Sequence, residues 1–346
     1  MKDLRNYDEK QLIDLLNNIG EKPFRGKQVY EWVSKGVAAI DDMTNLPLAL
    51  RNKLKERFYL DNYQILKHEK ANDGTIKAIG ALHDGNIVES VFMTYKHGHS
   101  ACISTQVGCK MKCSFCASTL GGVVRSLTAG EYLGQIMALQ NLTGKRINNV
   151  VLMGSGEPLD NYTETLRFIK MATDTNGLNL SVRGITLSTC GLVPEIYRLA
   201  DEKLGITLAI SLHNPFQEER AEIMPITRKY SISELIKAVK YYIEMTSRRV
   251  TFEYALIENV NDSILHAEQL GVLLKGLLVH VNLIPVNAVA EKNYLPTKIE
   301  NINAFKQCLE GKYRINTTIR RELGSDINAA CGQLRNSTLE KTNFNL

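Results

Sequence analysis

No stretch of this 346-residue chain stays apolar long enough to cross a bilayer. The most apolar one, residues 270–286, is broken by Lys275 and His280, whereas a spanning helix needs about 20 apolar residues in a row. The chain starts Met-Lys-Asp-Leu-Arg, charged and followed by no apolar run, so no targeting segment is expected and the expected compartment is the cytoplasm. Internal repeats and low-complexity tracts are lacking too. Neither sign of charge dominates: a net +5 permits an RNA partner without demanding one. Cysteines are few and odd in number, seven in all, which argues against a secreted disulfide framework and for a reducing compartment. What remains is ordinary. Apolar residues at 44% and charged ones at 23% are those of a soluble globular protein, in one large domain with appendages or in two domains.

Three of the cysteines, Cys109, Cys113 and Cys116, fall within eight residues, in Gly-Cys-Lys-Met-Lys-Cys-Ser-Phe-Cys. Thiolates spaced C-x3-C-x2-C share one soft metal centre. Three protein ligands rather than four leave a coordination position for another molecule. The same spacing lines one face of a helix, which is a core reading. Against it, lysines flank the middle cysteine and no other apolar stripe accompanies them.

With Phe115 just before the last cysteine, this segment resembles the cluster loop of radical S-adenosylmethionine (SAM) enzymes. In that family three thiolates hold a [4Fe–4S] cluster, and the amino and carboxylate groups of SAM bind its remaining iron. The resemblance runs along almost the whole chain and narrows to the RlmN-type adenosine C2 methyltransferases of ribosomal and transfer RNA. Its further anchors are Asp326-Ile-Asn-Ala-Ala-Cys331-Gly-Gln-Leu334 near the C-terminus and Cys102, seven residues before the cluster loop. The fold it implies is α/β: an open, partial (β/α)6 barrel over residues 96–320. A helical, RNA-binding accessory domain (1–60) and a short β linker (61–95) come before the barrel, and a segment carrying the methyl-accepting cysteine (321–346) follows it.

The periodicities are compatible with that plan. Asp8 can cap a first helix bearing Leu12, Leu15 and Leu16, with Gly20 past its end. Helices are expected over 24–33, with Arg25 and Lys27, and over 47–58. The latter carries Arg51, Lys53, Lys55 and Arg57, a solvated face or, under the resemblance, an RNA-touching one. Asp73-Gly74 and Asp84-Gly85 predict hairpin turns. Strands are expected at 101–105, 149–153, 184–188, 206–212, 250–257, 279–285 and 315–320. Between them Thr128/Glu131, Asn161/Glu164 and Ser231/Glu234 resemble capping boxes. Ile232, Leu235, Ile236, Val239, Tyr242 and Ile243 form a 3.6-residue stripe suited to packing on a sheet. Repeated βα units imply parallel strands, but periodicity does not separate a barrel from a doubly wound sheet; the resemblance does.

Barrel sites lie past the C-terminal ends of strands. Gly154-Ser-Gly156-Glu157-Pro158 stands there; it lacks the third glycine of a dinucleotide fingerprint, and Pro158 removes an N–H. It resembles the family's Gly-Glu motif, which contacts the methionine amino group, with Ser155 where the family usually has Met. The resemblance assigns SAM binding to Gly156, Glu157, Ser188, Ser211, Leu212, His213 and Asn287. Read singly, Ser188, Ser211 and Asn287 are ordinary polar residues at strand ends, and His213 a structural histidine.

Adenine C2 is too electron-poor to displace a methyl group from a sulfonium, whereas a carbon radical adds to it. The resemblance therefore implies two SAM molecules per turnover. One methylates the thiolate of Cys331, a strong nucleophile. The other supplies a radical that takes a hydrogen from that methyl, and the methylene so formed attacks C2. Cys102 then releases the RNA by pairing with Cys331 in a disulfide, and Glu89 accepts the C2 proton. By themselves Cys331 reads as a small buried residue and Glu89 as an outward-facing one. Cys190 and Cys308 match no motif and are expected in the core.

The implied partners are 23S rRNA, tRNA and an electron donor such as flavodoxin or ferredoxin, with no membrane. A target adenosine would be splayed from a loop or bulge. Lys110/Lys112, Arg248/Arg249 and Arg320/Arg321 are basic pairs suited to phosphates. One rival is a Cfr-like C8 methyltransferase, against which Gly156-Glu-Pro-Leu159, Phe252–Ile257 and Asn282–Pro285 follow the RlmN pattern more closely. The other is a non-catalytic RNA-binding module in which His97 or His99 joins the three cysteines on zinc.

Overall fold

The computed structural model describes residues 1–60, 63–96, 98–287, 294–321, 323–327, 329 and 332–334. Strand β1 (Lys2–Asp3) pairs in parallel with β2 (Phe58–Tyr59) and brackets three helices: α1 (Glu9–Asn17), α2 (Pro23–Ser34) and α3 (Leu48–Arg57). Asp8 caps α1 in a reciprocal box: its carboxylate accepts from Gln11 N at 2.8 Å, and Gln11 Oε1 accepts from Asp8 N at 3.0 Å. Proline opens α2, where its missing N–H costs nothing. Leu4, Leu12, Leu16, Val29, Leu50 and Leu54 give this unit its own core. On α3, Lys53 and Lys55 pair with Glu21 (3.0 Å) and Asp41 (2.7 Å), so part of its basic face is engaged locally.

Gly26 brings the backbones of α1 and α2 into contact, since a Cβ there would lie 2.5 Å from Ile13 Cα. Gly26→Ala is expected to destabilise the protein by about 1–3 kcal/mol through overpacking. The check is the thermal midpoint; an unchanged one would mean that the helices separate without cost.

The unit docks on the barrel helices. Tyr30 OH donates to Asp174 Oδ2 (3.0 Å), Gly130 N donates to Asn6 Oδ1 (2.8 Å), and the Arg167 guanidinium donates to Asn6 O.

Beyond it, β3 (Gln64–Lys70), β4 (Ile76–Ala81) and β5 (Ile87–Tyr95) run antiparallel through turns at Gly74 (φ +86°) and Gly85 (φ +80°). Strand β6 (Gly98–Cys102) is the pivot, antiparallel to β5 and parallel to β9 (Asn149–Leu152). Then β10 (Ile185–Thr189), β11 (Thr207–Ser211), β12 (Val250–Leu256), β13 (Val279–Pro285) and β14 (Thr317–Ile319) add in sequence order, all parallel. Around the sheet lie α4 (Ala129–Thr143), α5 (Tyr162–Thr173), α6 (Val193–Asp201), α7 (Gln217–Ile223), α8 (Ile232–Thr246), α9 (Ile264–Leu274) and α10 (Ile299–Gln307). A two-stranded pair, β7 (Gln106–Gly108) with β8 (Val123–Ser126), frames the cysteine loop. The mostly parallel sheet with outer helices is the expected α/β barrel architecture. Among the described residues no helix is long and apolar enough to cross a membrane.

Two local expectations need correction. The strand predicted over 101–105 ends at Cys102, because the backbone of Ser104 turns to the Gln135 side chain (2.9 and 3.0 Å). Asn161 is no cap. Its buried amide donates instead to Leu127 O (2.7 Å) and Tyr132 OH (2.9 Å), and Glu164 accepts from Ala129 N at the start of α4 (2.9 Å). Tertiary partners satisfied these groups better than a local box. The boxes at Thr128 and Ser231 do form.

Period-2 alternation separates core from cavity. On β12, Phe252 and Tyr254 are fully buried, Tyr254 with its ring 5.1 Å from that of Phe305 on α10, while Glu253 and Ala255 face the barrel interior.

Candidate functional site

Strand β7 delivers Cys109 to the mouth of the barrel. Gly108 before it has φ +76°, and a Cβ there would sit 1.9 Å from Gly122 O, so only glycine lets the two arms of the loop close. The loop is fastened by Thr119 Oγ1, which donates to Cys113 O (3.2 Å) and Cys116 O (2.9 Å), and by Ser114 N, which donates to Ile223 O (2.9 Å). Cys109 and Cys113 are buried beside Met111, Cys190 and Met224, with Cys116 half-buried at the edge. Burial pushes the Cys109 thiol up to about 12 and Cys113 higher still. Both are protonated until a metal displaces the protons.

Among the described residues no three His, Cys, Asp or Glu side chains converge closely enough to hold a single ion. Cys109, Cys113 and Cys116 all line one cavity, which suits an iron–sulfur cluster, in which each thiolate takes its own iron. The zinc alternative needs a fourth ligand from His97 or His99. His99 stacks on Phe92 with centroids 5.2 Å apart, and His97 lies outside the described residues.

The cysteine loop closes a cavity of ≈ 160 Å³ over the C-terminal ends of β9 to β13. Gly156, Glu157, Ser188, Ser211, His213 and Asn287 all line it. Gly156 has φ +107°, and a Cβ there would lie 2.6 Å from Thr105 Oγ1. Glu157 accepts from Cys190 N (2.8 Å) and Leu159 N (3.1 Å), and burial holds its carboxyl above the usual range. The hydroxyls of Ser188 and Ser211 lie 3.3 Å apart. Burial pulls His213 down to about 3, and Arg220 acts in the same direction. The ring is therefore neutral, with Nδ1 accepting from Ala255 N at 2.9 Å and its centroid 4.9 Å from that of the Phe115 ring, edge to face. Leu212 differs: its side chain is packed in the main core. Ser155 is buried, and its hydroxyl has no partner among the described residues.

A second cavity, ≈ 40 Å³, shares Met153, Ile284, Asn287 and Arg320 with the first and contains Cys102. Val91 pairs directly with Cys102, so strand alternation sets Glu89, Val91 and Met93 on the face of β5 that carries Cys102. Glu89 is buried, not outward-facing.

Cys331 lies outside the described residues, but its flanks are tied down. Gly332 O accepts from Ala117 N (2.8 Å) and Leu334 O from Ser118 Oγ (2.6 Å), both donors in the cysteine loop. On the other side Ile327 O accepts from Lys77 Nζ (2.5 Å), and Asp326 Oδ2 from Asn72 N (3.1 Å). Of the basic pairs, Arg320 lines both cavities and Arg321 the second, while Lys110 pairs with Asp160 at 2.6 Å.

Sequence reasoning missed three groups at this site. Cys190, expected in the core, is buried but also lines the first cavity, its carbonyl held by Arg220 at 2.8 Å. Glu253 is held by Asn282 Nδ2 (2.9 Å), has Arg320 at 3.8 Å, and is kept above the usual carboxyl range by burial. An acid between Phe252 and Tyr254 in an apolar strand was the available signal. Arg220 had none.

A Radical SAM superfamily model matches residues 103–270, and a ribosomal RNA large subunit methyltransferase N-terminal domain model matches residues 2–60. The chain is 57% identical over 339 residues to a probable dual-specificity RNA methyltransferase RlmN from Alkaliphilus oremlandii, covering 98% of each. It is also 57% identical over 316 residues to the protein of the same name from Clostridium tetani, 91% of this chain and 90% of that one. Among solved structures, a radical SAM methyltransferase from Sphaerobacter thermophilus matches with a TM-score of 0.93 and 41% identity. That match covers 97% of this chain and 100% of the other.

Proposed function

Since this chain belongs to the RlmN family of dual-specificity RNA methyltransferases, we propose that it adds a methyl group to C2 of adenosine. The targets are the peptidyl-transferase region of 23S rRNA and the tRNA position 3′ of the anticodon. It is a radical SAM RNA methyltransferase acting on rRNA and tRNA. The observation that carries the finer reading is the tethering of the Cys331 flanks to the loop of Cys109, Cys113 and Cys116, beside the cavity of Cys102.

Cys109, Cys113 and Cys116 would hold the [4Fe–4S] cluster. Gly156, Glu157, Ser188, Ser211, Leu212, His213 and Asn287 would hold SAM, Leu212 through its backbone. Bound there, cluster and SAM would supply one-electron cleavage of a sulfonium, the carbon-radical chemistry that adenine C2 requires. Glu157 offers a carboxylate to an amino group, and a neutral His213 adds no charge to repel a sulfonium. Cys331 carries the methyl group to the base. Its release needs a second sulfur: Cys102 bonds to Cys331 sulfur as the C–S bond breaks toward carbon, which keeps the electron pair and takes up a proton. Glu89 accepts the C2 proton. Residues 1–60 serve as the RNA-binding accessory domain, a reduced flavodoxin or ferredoxin supplies the electron, and the enzyme works in the cytoplasm.

The test is to incubate the reconstituted enzyme with labelled methyl-SAM and a strong reductant on unmodified 23S rRNA and tRNA, then digest. The expected product in both is 2-methyladenosine. Mass-spectrometric recovery of 8-methyladenosine instead would make the Cfr-like rival correct.

A further inference from the structure

Arg220, on α7, is the bulkiest fully buried side chain among the described residues, 1% exposed. Among the described residues its guanidinium donates to neutral oxygens alone: Leu212 O (2.9 Å), Thr227 Oγ1 (2.7 Å), Cys190 O (2.8 Å) and Ser211 O (3.0 Å). The carboxylates in the neighbourhood are committed elsewhere, Glu219 to Asn214 and His266, Glu157 to the backbones of Cys190 and Leu159. Burial pulls its pKa down to about 10, which leaves it charged at neutral pH. A cation taken out of water is retained at a cost unless an opposite charge balances it.

The anions that would balance it belong to the cysteine loop. Helix α7 ends at Ile223, whose carbonyl accepts from Ser114 N, the residue after Cys113, at 2.9 Å. Ile223, Cys113 and Cys190 pack in one cluster. Arg220 itself lines neither cavity, so it acts on the site at short range without touching what binds there.

We propose that Arg220 is the buried counter-charge of the iron–sulfur cluster, a positioning residue whose fixed positive charge makes one-electron reduction of that cluster easier. The proposal rests on the reading of Cys109, Cys113 and Cys116 as cluster ligands. Three thiolates leave the cluster anionic, and reduction adds one more negative charge. A cation in a low-dielectric surrounding favours the more negative state. The electron comes from an external reduced flavodoxin or ferredoxin; no bond forms at Arg220 and no proton leaves it. The guanidinium also ties together the ends of β10 and β11, and the test must separate that structural role from its charge.

The measurement is a redox titration of the cluster-loaded full chain, followed by electron paramagnetic resonance, with iron and sulfide content and the thermal midpoint taken alongside. Arg220→Gln removes the charge and retains amide donors. Its equilibrium constant for reduction is expected to fall at least about tenfold, or about 59 mV for a one-electron couple, with iron content preserved. Thr227→Val deletes one hydrogen bond to the guanidinium and keeps the charge; its thermal midpoint is expected to drop while the potential stays put. Arg220→Lys, which keeps the charge and loses the fork, is expected to hold the wild-type potential, and it carries the test should the glutamine variant not fold. Full iron with an unmoved potential in Arg220→Gln overturns the proposal alone, as does a tenfold fall in Arg220→Lys or Thr227→Val. Wild-type protein that takes up no iron overturns the cysteine reading and this proposal with it.

Discussion

Cys102→Ala is expected to leave RNA covalently attached to the protein, in about one copy per chain, with no methylated RNA released. The reason is chemical. A carbon joined to both C2 and the Cys331 sulfur leaves the protein only when another sulfur takes over the Cys331 side of that bond. Cys102 is at the end of β6, in the cavity that also borders Ala329 and Leu334, two residues before and three after Cys331. No other described cysteine lines that cavity. The replacement removes a small, largely buried side chain from a strand end, so the fold and the cysteine loop should survive it. The measurement is a denaturing gel of labelled RNA after incubation with SAM and reductant, with Cys331→Ala as the control that forms neither adduct nor product. Methylated RNA released from Cys102→Ala at the wild-type rate would remove Cys102 from the reaction.

Cys113→Ala is expected to abolish iron binding and to lower methyl transfer roughly 10⁴-fold or more, the scale on which a catalytic unit fails when one member is lost. Cys113 is one of the two buried thiols of the three. It is walled by Met224, Ile223 and Cys190, and its loop is fastened through Thr119 and Ser114. Those fastenings use backbone groups and persist in the variant, so the loss should fall on metal rather than on fold. Iron and sulfide analysis with the circular dichroism spectrum separates the two. A variant that folds, holds no iron and still methylates RNA undiminished would end the radical reading altogether.

Some of this was open to sequence and some was not. The cap at Asp8 and the boxes at Thr128 and Ser231 were legible because each involves residues three apart, whose hydrogen bonds close within one helical turn. The box at Asn161 has the same local pattern and failed, since the side chain found buried partners on Leu127 and Tyr132. Ser188, Ser211 and Asn287 could be placed at strand ends by alternation. That Glu157 would be held by the backbone of Cys190, from the loop after the next strand, could not. Arg220 is the extreme case: in Gln-Glu-Glu-Arg-Ala-Glu-Ile it looks like a solvated helix residue, and the chain turns it fully inward.

By itself, then, the sequence determined the chemistry. The spacing of three thiols, the turn glycines and the period-2 strands are short-range facts, written in consecutive residues and governed by local geometry. The tertiary structure alone decided which groups share a dielectric. It alone drew Leu334 onto the cysteine loop and Asp326 onto the β3–β4 turn, each more than 200 positions away. It also set Glu89 on the face of Cys102 and buried a guanidinium against the carbonyl of Cys190, which packs with Cys113. Those outcomes depend on how a ten-stranded sheet closes around its interior, a global packing result that no window of neighbouring residues contains.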